Sequence, residues 1–434
     1  MAVAEGSAPF RQTSMTTRRA RGPRLARLAL SLPLAALGCV SPGAGSPAST
    51  APGDEASLAS QVADLRALDG PLRLHVDDAG GRILAELPAP QGDDGELLQL
   101  LWAPGLRTGV GSNPIGLDRG RWSDARLIVF RRHGERVLVE QPNLAFRAES
   151  DDAAERLATR ESFATSILWS TDAEVVDDDG RCLVDLGPFL LRDTVGVAAA
   201  LSGSGQGRAR LDADRSRVDT RASLAFPHNV ELEVQLTFAV DDPGRLLAEV
   251  TPDPSAVSLV LHHSFVSLPD DGYEPRPYDA RAGVFAQSYV DNAVPLDQPL
   301  AQQLAVRHRL ERRDPDDPTS PAAEPIVYYV DPGAPEPVRS ALVEGASWWA
   351  DAFAAAGWPD SFRVEVLPDD VHLLDVRYHV IEWVHRSTRG WSYGRSLTDP
   401  RTGEILKGHV SLGSLRVRQD RLLFEGLLGT AKTS

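Results

Sequence analysis

Cysteine, methionine and lysine are nearly missing from this chain of 434 residues. Its two cysteines, Cys39 and Cys182, look unrelated and cannot build the multi-bridge framework that small secreted domains use, so the fold must rest on packed cores. Lysine occurs only at positions 407 and 432, and the basic charge is otherwise arginine, a bias of coding composition more than of function. The net charge of -16 excludes a general binder of nucleic acid or anionic membrane, because such surfaces need clustered cations to displace counterions. The apolar run Leu28 to Leu37 is too short to cross a bilayer as a mature helix. Among ten histidines no two stand four apart, the spacing that puts two imidazoles on one helical face within reach of one cation. What is there is ordinary folded-protein composition, 42% hydrophobic and 24% charged, with length enough for two or three domains.

The first 57 residues are organised for export. Arg18, Arg19, Arg21, Arg24 and Arg27 form a positive region ahead of Leu28 to Leu37. The run ends in Ala36-Leu37-Gly38-Cys39, which resembles a bacterial lipoprotein cleavage and lipidation site, with Ala36 in place of the usual leucine. That reading makes Cys39 a membrane anchor through its lipid and places the protein in the cell envelope, lipid-anchored or periplasmic to extracellular. Residues 40 to 57, rich in Gly, Ser, Pro and Ala, are then a flexible tether. Cys182 is left unpaired and fits a small buried hydrophobe.

Residues 58 to 270 have the grammar of an antiparallel β domain, sandwich-like or barrel-like. Leu72 to Val76 and Ile83 to Leu87 flank a glycine-bearing turn; Leu127 to Phe130 and Val137 to Val139 flank His133-Gly134; Ala173 to Val176 and Cys182 to Leu186 flank Asp177 to Gly180. Val230 to Phe238 alternates with period two, residues 257 to 266 form one more strand, and Asp151 to Arg160 form a helix. Residues 271 to 324 are a linker, whose Asp, Pro and Ser rich end from Arg312 to Glu324 marks a domain boundary. From 325 the pattern becomes strand, helix, strand, strand, hairpin: Ile326 to Val330, a helix opened by Pro335 and Pro337 and stopped at Gly357, Phe362 to Leu367, Tyr378 to His385, and a tight turn at Asp399 to Gly403. The predicted fold class is α+β.

Few side chains suggest chemistry. His379-x-x-Glu382-x-x-His385 comes nearest to a ligand set, but a strand sets the two imidazoles roughly 20 Å apart and a helix turns them to different faces, so neither makes one metal site. His262 and His263 point to opposite faces of a strand. Ser204 has Ser202 where a nucleophile elbow needs glycine, and Gly109-x-Gly111 lacks the third glycine of a dinucleotide loop. Asp369-Asp370 and Asp177 to Asp179 sit in solvated turns.

The stretch from Tyr378 to Leu428 carries a family resemblance. Tyr378-His-Val-Ile-Glu-Trp-Val-His-Arg386, Arg389-Gly-Trp-Ser-Tyr-Gly394, Asp399-Pro-Arg-Thr-Gly-Glu-Ile405 and the short amphipathic helix Arg416-Val-Arg-Gln-Asp420 resemble the region just before the active-site helix in a family of bacterial secreted, metzincin-like zinc-dependent metallopeptidases. Leu117 to Gly120, Phe226 to Glu231, Tyr278 to Gly283 and Arg307 to Glu311 resemble the same family's earlier regions, so the likeness spans nearly the whole mature chain. The resemblance implies an antiparallel β-rich domain followed by the upper part of a metzincin-like α/β catalytic domain, with zinc on a His-Glu-x-x-His helix in complete members. That helix does not appear before Ser434. The expectation is therefore a chain that stops ahead of it, with no zinc and no catalytic residue of its own, no peptide hydrolysis alone, and apolar surface exposed where the helix would cover the sheet. What the resemblance leaves is a substrate-side role for an edge strand and its flanking loop: Trp391, Tyr393, Glu404, Ile405, Lys407, Gly408 and His409, binding an extended peptide or protein segment. The competing expectation is a non-catalytic envelope lipoprotein that binds peptide or protein through its β domain and edge strand.

Overall fold

The structure, a computed structural model, describes residues 57–111, 113–387 and 392–429. The basic leader, the Cys39 lipidation site, the tether up to Ala56 and Trp391 lie outside the described residues.

Ser57 caps the first helix, α1 (Leu58–Val62), by accepting a hydrogen bond from the Ser60 amide. Next come β1 (Arg66–Leu68), β2 (Arg73–Asp77), β3 (Arg82–Leu87), β4 (Glu96–Leu106), β5 (Arg126–His133), β6 (Arg136–Gln141) and β7 (Phe146–Arg147). Asp152 caps α2 (Ala153–Ser162), the helix expected at 151 to 160, through the Ala154 amide. Then β8 (Ser166–Asp172), β9 (Val175–Val176), β10 (Cys182–Asp185), α3 (Gly187–Leu190), α4 (Val197–Gly203), β11 (Arg208–Ala225), β12 (Asn229–Asp241), α5 (Arg245–Ala248) and β13 (Ala256–Ser267) complete the β-rich part. All three expected hairpins are present, as β2–β3, β5–β6 and β9–β10.

Two antiparallel sheets enclose the main core. One runs β11-β12-β13-β4-β5-β6-β8, the other β1-β2-β3-β10-β9. Period-two alternation sends Leu74, Ile83 and Val184 from the small sheet, and Trp102, Phe130, Leu232 and Phe265 from the large one, into the same interior. Cys182 is free and buried there, and burial pushes its thiol up, so it behaves as the expected small hydrophobe. On the edge strand β11, Arg and Asp alternate with Ala209, Leu211 and Ala213, and the strand bulges twice, features that blunt an exposed edge against pairing with other chains.

The segment expected as a linker carries a ladder of its own. β14 (Ala286–Asp291) pairs antiparallel with β15 (Ala301–Ala305) and parallel with β7. Beyond it lie β16 (Ile326–Val330), α6 (Val338–Ser347), α7 (Trp349–Ala355), β17 (Phe362–Val366), β18 (His379–Val384), β19 (Tyr393–Thr398), β20 (Ile405–Gly413) and α8 (Ser414–Leu428). The C-terminal sheet has the order β17-β16-β18-β20-β19, parallel except for β19. The chain as a whole is α+β. Val338, Leu342 and Val343 of α6 cover one face of this sheet over Val330, Val364, Ile381 and Trp383. The rest of that face is an apolar hollow of about 570 Å³, lined by Ile326, Leu342, Phe353, Phe362, Ile381 and Leu412 among others. The opposite face lies under the β-rich part, where Leu101, Trp122 and Val266 join Leu374, Val376 and Leu397 in a second apolar cluster. The helix expected at 416 to 420 is longer and less one-sided than its sequence suggested: no residue of α8 is buried, and Val417, Leu422, Leu423, Phe424 and Leu427 all stand in solvent.

Candidate functional site

β20 alternates between the two covered faces of the C-terminal sheet. Lys407, His409 and Ser411 point toward the β-rich part and are buried, while Gly408, Val410 and Leu412 point to the face with the hollow. Lys407 is 1% exposed, and its ammonium donates to the carbonyls of Leu373, Asp375 and Tyr378 at 2.7–2.8 Å. All three carbonyls belong to the crossover loop between β17 and β18. Asn229 of β12 clips the same loop from the other side, accepting from the Val376 amide and donating to the Leu374 carbonyl. Burial pushes the Lys407 pKa down to about 7, against the pull of Glu231, Asp375 and Glu382.

His409 Nε2 lies 3.0 Å from Oε2 of Glu382 on β18, whose other oxygen accepts from Arg119. Burial raises the Glu382 carboxyl, but the His409 hydrogen bond and the charges of His409 and Arg119 outweigh it and hold the group below the usual carboxylate range. Trp122 stands edge-on to both His409 and His262, and His262 Nε2 is 2.8 Å from Glu231 Oε2. These groups surround an enclosed space of about 20 Å³, room for about one water molecule and far too small for a substrate. They join the β-rich part to the sheet. Lys407 and His409 also line the open cleft beside β19.

The edge expected around Glu404 to His409 is therefore displaced. β20 lies inside the sheet, paired with β19 from Ile405 to Ser411 and with β18 from His409 to Gly413. Glu404 is buried in a two-pronged pair with Arg309, and Ile405 is half-buried. The hairpin tip before them is pinned: Arg147 donates to the Pro400 and Arg401 carbonyls, and Gly403, at φ +81°, turns where a Cβ would meet the Ala305 carbonyl oxygen at 2.9 Å. The edge is β19. Among the described residues no strand pairs with its outer side, and Tyr393 at its start lies under the Arg386 guanidinium, 5.2 Å from ring centroid to cation. Of the described residues expected to meet a peptide, Tyr393 alone sits on the open strand.

Beside β19 runs a cleft of about 730 Å³. Gly394, Ser396 and Thr398 form one wall, Val284 and Phe285 stand in the other, and Val410 and Tyr328 line it from within the sheet. Gly408 is what lets Tyr328 lie there, since a Cβ at 408 would come 2.0 Å from the phenol oxygen. Gly408→Ala is expected to lower unfolding free energy by roughly 1–3 kcal/mol through overpacking. Tyr328→Phe should restore part of the loss in the double variant, and urea titrations of the three variants check it. Equal losses with and without the phenol oxygen would count against this account.

Residues 120–313 match the family model for a domain of unknown function, DUF5117. The match covers less than half of the chain, from the Gly120 turn above Glu382 to the end of the β15 segment, and leaves out β16 to α8. No curated protein and no solved structure matches. The matched segment supplies Trp122, Arg147, His262, Phe285 and Arg309, which are among the side chains that face the C-terminal sheet from outside it. Sequence reading missed Phe285 and Ser396, because nothing local marks one exposed phenylalanine or one strand serine. It also missed the Arg119–Glu382–His409 link, whose members lie 263 and 27 residues apart.

Zinc, the metal that the family resemblance implies, finds no fitting set of donors here. His308 and His379 come within 4.7 Å, ring centroid to centroid, and Tyr328 lies beside them, but no group of three His, Cys, Asp or Glu side chains converges among the described residues. His379 Nδ1 already accepts from the Gly408 amide. No hydrolytic step is assigned to these groups.

Proposed function

We propose that this chain is an exported, lipid-anchored member of a zinc-dependent metallopeptidase family, and that its described residues supply the peptide-binding edge and not the metal. The observation that carries the reading is β19: an antiparallel strand at the edge of an otherwise parallel sheet, with no strand on its outer side among the described residues, bordering an open cleft. Such an edge takes up an extended segment as one more strand, with backbone hydrogen bonds supplying affinity. The apolar hollow on the same face supports the reading too, because it has the character expected of a sheet surface that a further helix covers. The DUF5117 match gives no activity of its own and is compatible with this role.

The test has two arms on the purified chain. Fluorescence anisotropy with short extended peptides should show saturable binding that N-methylation of the peptide amides removes, since a methylated amide cannot donate to a strand edge. Casein incubated with the same protein should stay intact with or without chelator. Chelator-sensitive cleavage, together with about one tightly held zinc per chain, would overturn the second half of the proposal. Absence of peptide binding, or binding indifferent to N-methylation, would overturn the first.

A further inference from the structure

The last helix and the hollow beside α6 and α7 are both apolar and both open. In the second half of α8, Leu423, Phe424, Leu427 and Leu428 fall within an arc of about 140° at about 100° per residue, the stripe a helix presents to a partner. All four are exposed, Leu427 by 84%, while Glu425 and Gly426 fall outside the arc. Buried contacts stabilise most helices of this length, and no residue of α8 is buried. The hollow has the converse form. Leu342, Phe353, Phe362, Ile381 and Leu412 line it, and Trp349 stands 62% exposed at its lip. Gly345 adds room, since a Cβ there would meet nothing within 4 Å.

The stripe cannot reach the hollow of its own chain. β20 ends at Gly413 and α8 begins at Ser414, so no residue is free to make the reversal that would lay the helix back across its own sheet. The Ser414 hydroxyl lies 2.9 Å from His385 Nδ1, which fixes the direction in which the helix departs. The stripe starts only at Leu423, roughly 13 Å along the axis from Ser414. Charge points to what the helix meets instead. Between Ser340 and Phe362, the stretch that carries most of α6 and all of α7, the charged residues are Glu344, Asp351 and Asp360, and none is a cation. α8 is net positive on a protein of net charge -16: Arg416 and Arg421 pair with Asp420 and Glu425, and Arg418 has no ion pair among the described residues. A basic helix with an apolar stripe and an apolar hollow with an acidic rim are complementary, and every copy of the chain carries one of each.

We propose that two copies of this chain pair about a two-fold axis, each laying the Leu423 to Leu428 stripe of its α8 into the hollow of the other. Exchange in both directions doubles the apolar area removed from water. It also uses up each helix and each hollow, so the assembly closes at two and does not grow into a filament. Nothing in this pairing depends on β19 as a peptide-binding edge.

Sedimentation velocity on the full chain over a range of concentrations should show a reversible equilibrium between monomer and dimer with no larger species. Two variants disable one partner each. Phe424→Asp combined with Leu427→Asp spoils the stripe at exposed positions, and Gly345→Trp, or the smaller Gly345→Leu, fills the hollow. Each should weaken the dimer at least about hundredfold while the far-UV circular dichroism of the parent is kept. Mixing the stripe variant with the hollow variant decides the arrangement, because one intact helix and one intact hollow then remain to match. The mixture should form a dimer weaker than the parent's and at least about tenfold tighter than either variant forms alone. A parent that stays monomeric at every concentration, or a dimer that neither variant weakens, would overturn the exchange. Loss of the dimer in the stripe variant but not in the hollow variants would overturn it too, since helices packing on each other give that result. So would two monomeric variants whose mixture fails to associate. None of these outcomes touches the peptide-binding reading of β19, which N-methylated peptides test separately.

Discussion

Lys407→Ala is expected to be among the most destabilising single substitutions in the chain, by on the order of 3 kcal/mol. The side chain is almost wholly buried, and its ammonium is the hub on which the loop from Leu373 to Tyr378 is hung. Removing it strands carbonyl oxygens in a space lined by Val380, Leu373 and Trp122, and opens a void along the lost stem. Leu374 and Val376 on the same loop pack into the cluster that joins the sheet to the β-rich part, so loosening the loop loosens that contact. Lys407→Met separates the two contributions. It keeps most of the stem volume and removes the donor, so if the hydrogen bonds dominate it should be nearly as damaging as alanine. Urea titration followed by tryptophan fluorescence reads both. A variant within about 1 kcal/mol of the parent would show that the loop holds itself without the lysine.

Acid is expected to destabilise the protein well before its carboxylates titrate. Burial pushes the pKa of His263 down to about 3, of His308 to about 4 and of His379 to about 3, with the charges of His262 and Arg192 adding to the first and those of His308 and Lys407 to the last. Each imidazole is therefore harder to protonate in the folded chain than in the unfolded one. A group with a depressed folded pKa gives its full stability above the unfolded value, near 6.5, and loses it as pH falls toward the folded value. From pH 6.5 to pH 5 the loss approaches about 2 kcal/mol per histidine. The carboxylates held low, among them Glu382, Asp375 and Glu86, contribute their own loss only below their unfolded range, near pH 4. Unfolding free energy measured at pH 7 and at pH 5 should thus fall by several kcal/mol, and His263→Leu should remove about a third of the slope whatever it does at pH 7. A flat profile across that interval would sink the argument.

Much of the fold was legible because local and global signals agree. Val230 to Phe238, Leu127 to Val139 and the turn at Asp177 to Gly180 alternate, break and resume as half-buried strands must, and all lie where expected. β11 escaped because the apolar partners of its charges are mostly small, such as Ala209 and Ala213, a weaker signal than large hydrophobics at every second place. The sheet edge was misplaced for a different reason. Sequence order puts β20 last, but hydrogen bonding places it between β18 and β19, and nothing short of the sheet order reveals that swap. Lys407 and His409, expected on the substrate side, turn toward the β-rich part, where they tie the sheet to it, and they also line the cleft beside β19.

The cover over the sheet also sets a problem of timing during synthesis. Leu101, Trp122 and Val266 emerge from the ribosome long before Leu374, Val376 and Leu397, the residues that will shield them. Until then the growing chain carries a sticky patch with no native mate, and closing it requires bringing together segments hundreds of residues apart, which is slow.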